Sequence, residues 1–66
     1  MTHTLVELRH ALGWLEVQDL TDPTRALAVS ILAGVVADAL DCYVDTAQRA
    51  TDLSVNAGVA SLGLDR

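Results

Sequence analysis

ALAVSILAGVVA, residues Ala26 to Ala37, is apolar at every position except Ser30, in a chain of only 66 residues. At helical spacing, Val29, Leu32 and Val36 fall on one side and Leu27, Ile31 and Val35 on the other, so a helix built from this stretch needs neighbours on two sides. A chain of this size buries only about 60% of the surface its unfolded form exposes. Yet 52% of its residues are hydrophobic, with Trp14 and Tyr43 the only aromatics. The missing burial is expected from a second copy of the chain, which makes the protein a homodimer.

On the N-terminal side of this stretch, Leu20-Thr21-Asp22-Pro23-Thr24 reads as a turn, with Asp22 capping the next helix and Pro23 fitting its first turn. Before it, Thr4-Leu5-Val6-Glu7 has the form of a capping box that opens a first helix over about residues 5–19. Leu5, Leu8, Leu12 and Leu15 share one stripe of that helix, with Ala11 beside them, and Val6, Gly13, Val17 and Leu20 lie roughly opposite. The turn at 20–23 is short enough to make the two helices an antiparallel hairpin.

On the C-terminal side nothing but Gly34 interrupts the helical pattern, and one glycine costs about 1 kcal/mol relative to alanine. A long second helix is therefore expected over about residues 23–52, with its apolar stripe continuing through Leu40, Tyr43, Ala47 and Ala50. The opposite side changes from Leu27, Ile31 and Val35 to Asp38, Asp41, Asp45, Gln48, Arg49 and Asp52. Residues 53–66 form a C-terminal segment in which Ser54 caps a short helix carrying Val55, Val59 and Leu62 on one side, against the breaking tendency of Gly58 and Gly63. The chain reads as having neither internal repeats nor low-complexity segments.

Nine acidic residues against four Arg and no Lys give a net charge of -5. That sign opposes the counterion release on which phosphate binding depends, so nucleic acid is excluded as a partner and a membrane is disfavoured. Lys-free, Ala-rich usage is what a GC-rich bacterial or phage genome produces. The lone Cys42 permits no internal disulfide, and Met1 to Thr4 lead straight into an amphipathic pattern without a signal sequence, which points to the cytoplasm.

Chemistry-bearing residues are few. His3, Glu7 and His10 lie four and three apart, a spacing that suits a metal on a helix, but a fourth ligand is missing and the reading assigns no metal site. Asp38, Asp41 and Asp45 share a helical side that is foremost a solvated one, with Arg49 spaced to pair with Asp45 and Asp52. Cys42 lacks a nearby cation to favour its thiolate. Trp14 lies between the apolar stripes on the side of Glu7 and Gln18, where a large aromatic belongs to a core or an interface edge. Ser30 and Gly34 form a small-xxx-small step of the kind that lets helix backbones come close.

The expected architecture is all-α: a helical hairpin with a long second helix and a short C-terminal helical segment, paired into a homodimeric bundle. Val6, Val17, Leu27, Ile31 and Val35 are its expected oligomer interface, and Asp38, Asp41, Asp45 and Asp52 its expected partner-binding side. With no catalytic, cofactor or metal residues, the leading functional reading is a non-enzymatic protein-protein interaction module, an adaptor, docking or regulatory protein of the kind phages use as accessory factors. The alternatives are a small membrane-active protein such as a holin, and a metal-dependent enzyme or sensor assembled across a dimer. In a membrane span over about residues 26–44, Asp38 and Asp41 would cost about 2.5 to 3.5 kcal/mol each near the centre.

Overall fold

In the computed structural model, which describes residues 4–63, the Thr4 Oγ1 accepts the Glu7 N–H at 3.2 Å and the Glu7 Oε1 accepts the Thr4 N–H at 2.8 Å. This reciprocal cap satisfies two backbone donors and starts α1, Leu5–Glu16. Asp22 does the same for α2, Pro23–Ala39, accepting the Thr24 N–H at 3.0 Å ahead of Pro23. A third helix, α3, spans Val44–Ser61. No strand occurs among the described residues.

The expected helix over 23–52 is thus two helices, broken at Leu40–Tyr43. Leu40 is fully buried at the end of α2, and the Tyr43 N–H donates to the Leu40 carbonyl at 2.7 Å to close the turn. Length explains the break. A straight helix of that extent would be about 45 Å long, whereas the 12 residues of α1 span about 18 Å and would leave much of the apolar stripe uncovered. Folding back lets the chain cover its own stripe, and α3 rather than α1 becomes the extensive partner of α2. Ser54 accordingly sits inside α3 and caps nothing.

Where α2 and α3 meet, the Ser30 Oγ donates to the Ser54 carbonyl and the Ser54 Oγ donates to the Ser30 carbonyl, both at 2.8 Å. Hydroxyls this short reach a neighbouring backbone only if the helices lie close together. Gly34 and Gly58 make room for that: a Cβ on Gly34 would stand 3.6 Å from the Ser54 Oγ, and one on Gly58 only 3.2 Å from the Ser30 Oγ. The pairing also exposes an internal repeat, where none is expected from the sequence pattern. RALAVSILAGV at 25–35 and RATDLSVNAGV at 49–59 superpose with Arg, Ala, Ser, Ala, Gly and Val in common. Equivalent residues have equivalent environments: Ala26 and Ala50 are fully buried, as are Ala33 and Ala57. The antiparallel pair therefore has a local two-fold relation centred on Ser30 and Ser54.

α1 lies across one side of this pair. Leu8, Leu12 and Leu15 are buried against Val29, Ala33, Val36, Leu40, Ala50 and Ala57, with Leu5, Leu20 and Leu53 at the margin. Ala11, expected to share this burial, is exposed.

The two glycines should respond differently to alanine. Gly34→Ala gains helix propensity and meets the Ser54 Oγ at ordinary contact distance, so it should stabilise the fold by up to about 1 kcal/mol. Gly58→Ala must displace a hydroxyl already committed to a hydrogen bond, and should be less stable than Gly34→Ala by about 1 kcal/mol. Urea unfolding of both variants checks this; equal gains would remove the close approach from the account of the fold.

Candidate functional site

With Ser30 facing α3 and 100° per residue, Val29 and Val36 turn towards α1 while Leu27 and Ile31 turn the other way, with Val35 further round at the outer edge of α2, where it also lines a groove with α1. The 24-residue equivalence puts Val55 and Val59 on the same side as Ile31 and Val35, and Leu62 follows one turn later. All six are large, apolar and uncovered: Leu27, Ile31 and Val35 are 51%, 59% and 60% exposed, and Val55, Val59 and Leu62 are 60%, 49% and 67% exposed. A branched apolar surface therefore runs over both helices on the side away from α1.

The five residues expected to form one oligomer interface do not lie together. Val6 and Val17 are roughly opposite Leu8 on α1, so they point outward from the layer that covers the other side of the α2–α3 pair; they are 60% and 78% exposed. Leu27, Ile31 and Val35 belong to the apolar surface just described. Sequence reasoning missed Val55, Val59 and Leu62 as members of that surface, because a continuous second helix would have carried them far away from Ile31.

The acidic side is divided by the same break. Asp38 ends the apolar strip in the last turn of α2, Asp41 lies in the connection and Asp45 is in the first turn of α3, all three exposed around one end of the helix pair. Asp52 is two turns further on and accepts the Gln48 side-chain amide at 2.9 Å. Arg49 does not complete the expected pairs with Asp45 and Asp52; its Nη2 meets the Glu16 Oε1 at 2.7 Å and ties α3 to α1. Both partners are substantially exposed, which limits that pair to well under 1 kcal/mol.

Elsewhere the chemistry is sparse. An open groove of about 390 Å³ runs between α1 and α2, lined by Leu8, Ala11, Val35, Val36, Ala39 and Glu7, whose carboxylate is committed to the α1 cap. A second groove on the same helices holds Trp14, 61% exposed, beside Gln18, Arg25 and Leu32, so the Trp belongs to a surface rather than a core. Among the described residues no three His, Cys, Asp or Glu side chains come together as metal ligands. His10 is exposed, Cys42 is an exposed thiol, and His3 lies outside the described residues. No known family model matches the chain, and no curated protein or solved structure shows significant similarity to it.

One carboxylate is perturbed. Hydrogen bonds from the Thr21 backbone N–H at 2.9 Å and the Thr21 hydroxyl at 2.8 Å, with a smaller contribution from the Arg25 charge, hold Asp19 below the ordinary 3.8. A carboxyl lowered in the folded state contributes stability that is present above its unfolded value and lost as pH falls through the folded one. Wild type should therefore be more stable than Asp19→Asn at neutral pH, with the two thermal midpoints converging as pH drops below 3.8. A gap that stays constant with pH would show that the turn gains nothing from the charge.

Proposed function

We propose that the chain is a non-enzymatic protein-protein interaction module that acts as a homo-oligomer in the cytoplasm. The observation that carries this reading is the uncovered surface of Leu27, Ile31, Val35, Val55, Val59 and Leu62, because contiguous apolar area beyond a few hundred Å² on a small protein marks an interaction site. The grooves support the same reading: the larger is apolar and open, and its one ionisable side chain is tied into a helix cap. No described helix is long and apolar enough to cross a membrane.

For a second, different protein, Asp38, Asp41 and Asp45 around the α2–α3 connection offer the surface that suits a basic partner, and an adaptor or docking role uses the two surfaces separately. Asp52, turned to Gln48, takes no part. Affinity capture from the native host with Asp41→Arg and Asp45→Arg tests the acidic surface. The doubly reversed chain should lose its protein partner while sedimenting like wild type, since both positions are exposed and lie off the apolar surface. Unchanged capture would remove the carboxylates from the reading.

A further inference from the structure

We propose that a second copy of this chain docks on the α2–α3 side that α1 leaves bare, the two copies meeting face to face about a two-fold axis so that four helices form the centre and each α1 lies outside. This rests on the homo-oligomer reading and narrows it to one surface, with Val6 and Val17 excluded.

Area, charge and symmetry each select this occupant. Six side chains, each half to two-thirds exposed, present on the order of 100 Å² apiece, and with the intervening Gly34, Thr51 and Gly58 they approach the roughly 800 Å² that one partner contributes to a stable interface. A chain of net charge -5 repels its own copies unless they approach over neutral ground. α2 carries no charged residue between Arg25 and Asp38, and α3 carries none after Asp52, so the centre of this surface is neutral. Asp45 and Asp52 lie roughly opposite Ser54, with Asp52 at the outer rim of the surface, one turn from Val55. A neutral, branched apolar surface suits another such surface rather than a basic protein.

The internal repeat supplies the geometry. The ridge Leu27-Ile31-Val35 has an antiparallel counterpart in Thr51-Val55-Val59, so the surface is close to two-fold symmetric about its own normal. Turning a second copy over about an axis in the interface then sets β-branched side chains against β-branched side chains on both ridges at once, as an isologous contact requires.

Sedimentation equilibrium across a micromolar dilution series should give twice the 7.0 kDa chain mass at the upper end. Ile31→Asp and Val55→Asp should each weaken association by roughly 30-fold or more, as expected for a charge at an interface centre. Circular dichroism should show their helix content unchanged, because both positions are exposed in the single chain. Val17→Asp should leave the association constant within about threefold of wild type. A wild-type chain that sediments as a monomer throughout overturns this proposal and the homo-oligomer reading together. A dimer that is broken by Val17→Asp but withstands Ile31→Asp and Val55→Asp overturns the surface alone. Should the Asp variants lose helix, hydroxyl-radical labelling of wild type across the same dilution decides. Protection of Ile31, Val35, Val55 and Val59 that grows with concentration supports the proposal, and protection at Val6 and Val17 in their place refutes it.

Discussion

The close approach of α2 and α3 at Ser30 and Ser54 is the contact on which the remaining structure depends. Its two reciprocal hydrogen bonds contribute about 1 kcal/mol each, less than the burial of Ala26, Ala33, Ala50 and Ala57 around them. Their larger effect is on register. Sliding one helix past the other by a residue would break both bonds at once and leave two half-buried hydroxyls without partners, at about 1 to 3 kcal/mol each. It would also carry Gly58 away from Ser30, where an added Cβ would stand only 3.2 Å from the hydroxyl. A weak pair of bonds thus selects one arrangement among many that bury similar apolar area.

Once that register is set, the place of α1 follows. It supplies three buried leucines, one per turn, and these need a continuous apolar floor. Val29, Ala33, Val36 and Leu40 on α2, with Ala50 and Ala57 on α3, make such a floor on one side of the pair. The Glu16 to Arg49 pair then trims the fit of α1 on α3 without holding it there. Only one side of the pair can be covered in this way, because only one helix among the described residues lies outside the pair.

The starts of α1 and α2 were legible in the sequence, since Thr4, Glu7, Asp22 and Pro23 act on backbone groups close by, whereas α1 ends at Glu16, short of the expected 19. The all-α class was legible too, from periodicity alone. The break at Leu40–Tyr43 was not, because DCYVD contains neither Pro nor Gly and α3 starts at Tyr43 without a side-chain cap. The chain turns there for a distant reason: Ser54 and Gly58 fit against Ser30 and Gly34, a tertiary preference that overrides a locally acceptable helix. A signal for it did exist, in the shared S-x-x-A-G-V at 30–35 and 54–59. The candidate surfaces are grouped differently for the same reason. Reading 23–52 as one helix placed Asp38, Asp41, Asp45 and Asp52 on one side, and kept Val55 and Val59 apart from Ile31 and Val35.

The duplication also explains why so small a chain carries so much apolar area. In two helices related by a local two-fold axis normal to their plane, each side of the pair draws on equivalent positions of both helices, so an apolar set on one side of α2 recurs on the same side of α3. Val29 and Leu53 recur under α1, and Ile31 and Val55 recur on the bare side. α1 answers for the first set within the chain. The second set has no covering element within the described residues, and in water it forgoes the transfer free energy that burial gives the first set. Ile31, Val35, Val55 and Val59 could each be exchanged for a polar residue without disturbing either serine bond, so the fold of the single chain does not require them. Four β-branched side chains standing there, in register across both copies of the repeat, are the feature on which the proposed contact rests.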